Sequence, residues 1–289
     1  MILPVLIYLF LFCYKPMYGL VIAFKDYKIT RGIDGSNWSN PWYKWFLNFF
    51  TDPYFGRLLK NTFMISGLTI LFGFPAPIIL ALMINEVKNS AFKRTVQTIT
   101  YMPYFISMVV LCGLLKTFSM QDGLFSQIAT VFGGKAQNFL ANPNYFRTIY
   151  VLSDIWSGIG WNSIIYLAAL SSIDQEQYEA ARVDGANRFQ QMLHITLPGL
   201  VPTIMILFIL RMGNILNVGY EKILLLYNSA TYSTADVIST YTYRLSFGGS
   251  GNPMYSKSTA IGLFNTIINV FFLMLTNMIS KKATDAGLF

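Results

Sequence analysis

Side chains that could carry out covalent chemistry are scarce in this sequence and are not grouped. His194 is the only histidine, and no cysteine stands at a metal-ligand spacing from it. Cys13 and Cys112 lie in apolar runs, which predicts two small buried side chains and no disulfide. The single Gly-Lys pair, at 134–135, is followed by Ala136, so a nucleotide-phosphate loop is not predicted. We therefore expect no enzyme activity and no metal site, and we assign any ATP hydrolysis to another chain.

A second group of polar residues interrupts long apolar stretches. Charges at membrane depth cost about 2.5–3.5 kcal/mol on insertion scales, so those present usually line a cavity or find a partner. Asp154 and Arg211 are predicted at similar depth, and we expect them to pair. Asn214 and Asn217 follow Arg211 at three-residue steps, which predicts one polar stripe on a helix.

These polar residues have the types that bind sugars. Aromatic rings such as Trp156 stack on sugar rings, while amides and carboxylates bond the hydroxyls. Asn265 and Asn269 add a pair of amides four residues apart. The alternative is that all of these side chains hold neighbouring spans together through interhelical hydrogen bonds.

The connection at 171–198 contains the most specific local pattern. Two pairs of residues are typical of helix starts: Asp174 with Gln177, and Asn187 with Gln190. Gly185 predicts a left-handed end to the first short helix, and Pro198 is expected to close the second before the next span. Such an elbow can bury apolar side chains in a partner's groove. The alternative is an ordinary amphipathic loop at the membrane surface.

The composition indicates that these residues belong to a membrane protein. The 289 residues are 54% hydrophobic and 12% charged, with a mean hydropathy of +0.47, which excludes an ordinary soluble domain. A helix needs about 20 mostly apolar residues to cross the hydrocarbon layer. Six segments meet this length or nearly do: about 2–14, 62–84, 99–118, 146–170, 199–217 and 258–280. We predict an all-α, polytopic protein in which residues 1–289 form one transmembrane domain within the lipid bilayer, with no nucleic-acid partner.

The direction of insertion does not follow from charge counts. With the 171–198 loop in the cytoplasm, the loops left outside carry more Lys and Arg than the loops inside, and the simple count favours the opposite orientation. The first predicted segment is short and lacks a basic leader, so we expect a trimmed cytoplasmic tail in preference to a signal peptide.

The 171–198 connection resembles the signature of the membrane subunits of binding-protein-dependent ABC importers, Glu-Ala-Ala-x3-Gly-x9-Ile-x-Leu-Pro. Every defined position is matched, and the residues that this resemblance marks as ATPase-coupling are Glu179, Ala180, Ala181, Asp184, Gly185, Ile195, Leu197 and Pro198. Segments 16–26, 61–62, 85–87 and 164–170 are similar to the carbohydrate-uptake branch, that of the MalF- and LplB-like permeases. The resemblance covers nearly the whole chain.

This resemblance implies an ABC importer type I permease core in a bacterial cytoplasmic (inner) membrane, with both termini cytoplasmic. The elbow would be a coupling helix docked on an ABC ATPase dimer, which binds ATP and Mg. The other implied partners are a second, homologous permease and an external, periplasmic solute-binding protein. An oligosaccharide would be the substrate.

The resemblance also implies a substrate pathway on the helices before and after the elbow. It marks Asp154 and Trp156 on the first helix and, with a one-residue gap allowed, Asn214 and Asn217 on the second. Asp154 stands where the maltose permease has an asparagine, and together with Arg211 this favours another substrate. Because the outer loops carry excess positive charge, we expect an acidic, uronate-containing sugar; the alternative is that this charge only attracts an acidic binding protein. The alternative function is an ion-coupled secondary transporter with Asp154 as the ion site.

Overall fold

The computed structural model describes residues 2–248, 253–284 and 286–288. These residues form helices and turns, with two isolated bridges and no longer strand pairing. The helices are α1 Leu3–Phe24, α2 Lys44–Phe50, α3 Phe55–Glu86, α4 Ser90–Tyr101, α5 Met108–Ser119, α6 Leu124–Val131, α7 Pro143–Ser171, α8 Gln175–Val183, α9 Arg188–Met212, α10 Tyr220–Leu226, α11 Tyr232–Ala235, α12 Ile238–Phe247 and α13 Tyr255–Thr284.

Five segments of the described chain are long and apolar enough to cross a membrane: Leu3–Phe24, Phe55–Glu86, Met108–Val131, Arg188–Met212 and Tyr255–Thr284. The predicted span at 146–170 corresponds to α7, whose 29 residues extend about 43 Å at 1.5 Å each. α7 has the length to cross but is more polar than the other five. The prediction of six spans is therefore approximate, while the all-α membrane architecture is confirmed.

The predicted span at 99–118 is wrong in its position. The helix α4 ends at Tyr101, and a 3₁₀ turn containing Pro103 follows it. Ser107 then caps a new helix, with its Oγ accepting from the backbone N–H of Val110 at 3.4 Å. Because proline cannot donate the bond that would continue the helix, the apolar run is divided and the spanning segment starts at Met108.

The first span is longer than predicted, and its N-terminal part stands apart from the bundle while residues 18–24 pack against α13. Helix α1 reaches Phe24, and none of its most apolar stretch is buried within the chain. Cys13 is therefore exposed, contrary to the prediction of two buried thiols, while Cys112 is buried as expected. The uncovered apolar part of α1 requires lipid or another subunit around it.

The packed core lies between α3, α5, α7 and the short helix α10. Its largest cluster includes Ile65, Leu111, Phe146 and Ile223. A second cluster joins the far end of α7 to α3 and α9 through Tyr166, with Ala81, Leu170 and Leu200 around it. Helix α7 contributes to both clusters and so forms the central support on which the others pack.

Helices α10 to α12 form a cap over the starting ends of α3 and α7. Asp236 is fully buried there and accepts two bonds from Arg244, at 2.7 and 2.8 Å. Arg57, near the start of α3, lies 3.3 Å from the same carboxylate. Burial alone would lower the pKa of Arg244, but the bonds to Asp236 outweigh it and the pKa is raised. The guanidinium therefore stays charged and holds the cap in place.

A second buried ion pair ties the same end of the bundle to α13. Lys257 lies 2.6 Å from Asp52, which also accepts a hydrogen bond from Tyr241. Burial alone would raise the pKa of Asp52, but these bonds outweigh it and hold the pKa below its usual value of 3.8. The loop before α3 is thereby fixed to both α12 and α13.

Gly160 in α7 is required by the close approach of α4. A Cβ at Gly160 would overlap the carbonyl oxygen of Thr100. Gly160→Val is expected to lower the stability of the purified protein by about 1–3 kcal/mol, because overpacking forces the two helices apart. The midpoint of thermal unfolding measures this. Gly67→Val in α3 is the matched control, since a Cβ there meets nothing within 4 Å; equal midpoints for the two variants would contradict the prediction.

Candidate functional site

The elbow predicted from the local pattern is present. Helix α8 starts at the cap Asp174, whose carboxylate accepts from the backbone N–H of Glu176 at 3.0 Å. Gly185 has a φ of 79°, the left-handed conformation that ends a helix at little cost only in glycine. Asn187 and Gln190 form the reciprocal capping box at the start of α9. The two helix starts and the glycine bend are therefore confirmed.

Pro198 does not close the second helix, contrary to the prediction. Residues Met192–Thr196 form one wider π-helical turn, and α9 continues from it without interruption. The N–H of Leu197 bonds the carbonyl of Met192, five residues back. This wider spacing accommodates the proline ring, which would clash with a carbonyl four residues earlier in a regular α-helix. The second helix of the elbow and the following span are thus one continuous helix, α9.

Side-chain contacts tie the elbow to two spans. The hydroxyls of Tyr178 in α8 and Thr196 in α9 are 3.0 Å apart. Arg188 lies 3.7 Å from Glu86, the last residue of α3. A displacement of the elbow would therefore act directly on α9 and on the end of α3.

The outer surface of the elbow is open and partly apolar. Val183 and Phe189 are 88% and 66% exposed. Among the predicted coupling residues, Glu179 and Ala180 are exposed, and Leu197 and Pro198 begin the regular part of α9. The remaining four, with His194, line a concavity of about 330 Å³: Ala181, Asp184, Gly185 and Ile195.

A cavity of about 520 Å³ lies between α3, α7 and the end of α9. The π-helical turn Thr69–Gly73 of α3 forms part of its wall. A neighbouring cavity of about 330 Å³ extends toward α10. The polar side chains shared by both cavities are Thr69, Asp154, Arg211, Asn214 and Asn217. Four of the five predicted substrate-pathway residues are therefore brought together.

The polar stripe predicted on the fifth span is wrong in its geometry. Helix α9 ends at Met212, so Asn214 and Asn217 lie in the turn that follows. Their amides bond each other at 3.1 Å, and this turn directs them to the same cavity as Arg211. Trp156 lies outside the lining of both cavities and is 49% exposed.

The asparagines predicted on the last span have different surroundings. Asn269 is buried and accepts from the backbone N–H of Leu216 at 3.0 Å, which fastens α13 to the turn after α9. The side-chain oxygen of Asn265 is buried without a hydrogen-bond partner among the described residues. Neither residue lines the two cavities, so Asn269 has the interhelical role that was the alternative reading.

Asp154 pairs with Lys222, and the predicted pair with Arg211 is wrong. The Lys222 ammonium lies 3.4 Å from Asp154 and donates to the carbonyl of Tyr150 at 3.0 Å. Sequence reasoning did not identify Lys222; the only signal was one lysine beside the apolar run Ile223–Leu226 in a segment treated as a loop. Arg211 is in none of the ion pairs found in the described part of the chain.

An apolar helical bundle with an exposed helix–glycine–helix elbow and a polar cavity between its helices is consistent with a membrane permease. Residues 73–285 match the family described as "Binding-protein-dependent transport system inner membrane component". The chain belongs to this family.

Two relatives from Bacillus subtilis (strain 168) are similar over the full chain. The protein LplB is 42% identical over 100% of this chain and 90% of its own. The polygalacturonan/rhamnogalacturonan transport system permease protein YteP is also 42% identical, over 100% of this chain and 89% of its own.

Two solved structures have the same fold. One is a bacterial ABC transporter involved in the import of the acidic polysaccharide alginate, with a TM-score of 0.87 and 45% identity over 98% of this chain and 94% of that chain. The other is a bacterial alginate ABC transporter in complex with an alginate pentasaccharide-bound periplasmic protein, with a TM-score of 0.89 and 44% identity over 99% and 94%. The chain is thus a membrane subunit of a binding-protein-dependent importer, not an ion-coupled secondary transporter.

Proposed function

We propose that this chain is one of two permease subunits through which an acidic, uronate-containing oligosaccharide passes from an external binding protein into the cytoplasm. A separate ATPase dimer, bound at the elbow, hydrolyses ATP and drives the change between outward and inward opening. Both termini lie in the cytoplasm. The chain itself forms no covalent bond with the sugar; it supplies the path and transmits the movement.

One observation carries the choice of an acidic sugar. Arg211 faces the cavity at membrane depth without an ion-pair partner among the described residues. A guanidinium in such a place favours a carboxylate, which it can bind through two parallel hydrogen bonds. Asn162, Asn214 and Asn217 around it offer amides for the hydroxyls of a sugar.

The similar proteins add support. One relative at 42% identity is a polygalacturonan/rhamnogalacturonan permease, and both solved structures belong to alginate importers. A permease for neutral maltose and maltodextrin, from Vibrio vulnificus (strain YJ016), is 26% identical over 69% of this chain. Similarity is therefore greater toward systems for acidic polysaccharides.

The proposal is tested by purifying the tagged chain with whatever subunits accompany it and reconstituting them in proteoliposomes. We expect an ATPase and a second permease to co-purify. With the cognate binding protein outside and ATP inside, the vesicles should accumulate an oligouronate such as trigalacturonate. Accumulation of neutral oligosaccharides alone would refute the acidic substrate, and co-purification without any ATPase would refute the coupling role.

The proposed ATPase-docking surface of the elbow, which includes the exposed side chains of Val183 and Phe189, is tested by a separate variant. Phe189→Asp is expected to reduce the co-purified ATPase at least fivefold, because a charge replaces an apolar side chain that would enter the partner's groove. Phe132→Asp is the matched control, since Phe132 is 86% exposed near the opposite end of α7. Quantitative electrophoresis of the purified complexes measures the ratio; equal loss in both variants would contradict the assignment.

A further inference from the structure

We infer that Lys222 is a specificity-determining residue, which neutralises Asp154 from behind the wall of the larger cavity and so leaves the positive charge of Arg211 available to an anionic sugar. This inference rests on the proposed function and names a residue that sets the charge of the same site. It assigns Asp154 a structural partner in place of a direct role as ligand.

Burial separates the two members of the pair. The Lys222 side chain is 2% exposed, whereas that of Asp154 is 43% exposed and faces both cavities. A ligand in the larger cavity can therefore meet the carboxylate but not the ammonium. Lys222 lines only the smaller cavity, so it acts on a ligand in the larger cavity through Asp154.

The position of Lys222 is fixed by several contacts. Its ammonium donates to the carbonyl of Tyr150 at 3.0 Å and lies 4.5 Å from the centre of that ring. The carbonyl of Lys222 lies 3.9 Å from the thiol sulfur of Cys112, where α10 packs against α5. A buried ammonium requires such compensation, because an unpaired charge in this place would be costly.

The charge balance shows what the pair does. Asp154 and Arg211 are the charged residues lining the larger cavity, and without Lys222 their charges would cancel. The carboxylate would also be free to pair with Arg211 or to repel a uronate. With Lys222 bound to Asp154, the larger cavity retains one net positive charge. Glu221 and Lys222 line only the smaller cavity, where Tyr220 lies 3.4 Å from the Glu221 carboxylate.

Removing the negative charge of Asp154 and removing the positive charge of Lys222 should therefore change the preference for an acidic sugar in opposite directions. In reconstituted vesicles, the measured quantity is the uptake of trigalacturonate divided by the uptake of its neutral methyl ester. Asp154→Asn should raise this ratio and Lys222→Met should lower it, each on the order of tenfold for a unit charge in an intermediate dielectric. The double variant should return the ratio to about the wild-type value. Because every variant uses the same binding protein, its own preference cancels in the comparison with wild type.

A purely structural pair would give another pattern. Both single variants would then lose uptake of acid and ester equally, and the ratio would stay at the wild-type value, which would overturn the inference. If Lys222→Met does not accumulate in the membrane, Asp154→Asn alone decides, since that side chain is partly exposed and the cation remains. A ratio of acid to ester uptake in Asp154→Asn that equals the wild-type ratio would also overturn the inference.

Failure of the proposed function has a separate signature. It would appear as absent trigalacturonate uptake in the wild-type complex, before any variant is compared. The pair itself is measured in that case by a double-mutant cycle on thermal unfolding, in which additive effects of Asp154→Asn and Lys222→Met would overturn it.

Discussion

Gly185→Val is expected to reduce uptake at least tenfold while the chain still inserts and the ATPase still turns over. Gly185 has a φ of 79°, a conformation that costs a residue with a side chain about 1–2 kcal/mol and a β-branched residue more. Relief of this strain requires a different bend between α8 and α9. The elbow would then no longer present its exposed face at the angle that a partner requires.

Gly185→Val should impair the transmission of movement from the elbow to the membrane-spanning helices, because few side-chain contacts join the two. Tyr178 contacts Thr196, and Arg188 contacts Glu86 at the end of α3. A changed bend alters these contacts before it reaches the cavity, which lies further along α9. The measurement is the ratio of sugar taken up to ATP hydrolysed in the same proteoliposomes, which should fall.

A matched control separates transmission from backbone strain. Gly133 has a φ of 81°, and a Cβ at either glycine meets nothing within 4 Å. Gly133→Val therefore introduces similar strain near the opposite end of α7. It should leave the ratio of uptake to hydrolysis unchanged. If Gly185→Val and Gly133→Val lower the ratio of uptake to hydrolysis equally, backbone strain explains the result and the elbow has no special role.

The elbow could be predicted because its determinants are local. A capping residue, a glycine that must adopt positive φ and a second capping pair all lie within 171–198 and act on their own backbone. The same local reasoning failed at Pro198, because a π-helical turn over the five preceding residues accommodates the ring. A widened turn has no sequence signature as clear as a cap.

Parts of the fold and site that depend on distant residues could not be predicted in this way. The partners Asp154 and Lys222 are separated by 68 positions, and only the packing of α10 against α5 and α7 brings them together. Asp154 and Arg211 line one cavity, but a similar predicted depth alone cannot choose between two cations as the partner of Asp154. Pro103 is a local helix breaker, but hydropathy averaged over residues 99–118 does not register a single proline, and the predicted span therefore runs across it.

Arg211→Gln is expected to reduce uptake of an oligouronate roughly 10- to 100-fold and to change uptake of a neutral oligosaccharide little. A hydrogen bond to a charged group contributes about 1.5–3 kcal/mol, and glutamine retains a donor but not the charge. Arg211 lines both cavities and is in none of the ion pairs of the described residues. Its replacement should therefore break no ion pair within the chain, and the loss should fall on the ligand.

Arg211→Lys is the matched control, because it keeps the charge and loses the planar, paired donors. We expect it to keep the preference for the acidic sugar with uptake between that of the wild type and of Arg211→Gln. Initial rates at saturating binding protein, measured for trigalacturonate and its methyl ester, give the two numbers for each variant. Equal losses for acid and ester in Arg211→Gln would mean that the guanidinium supports the cavity wall and does not recognise a carboxylate. Since Lys222 leaves Arg211 as the uncompensated charge of the larger cavity, Arg211→Gln with Lys222 intact should remove the acid preference that Asp154→Asn increases.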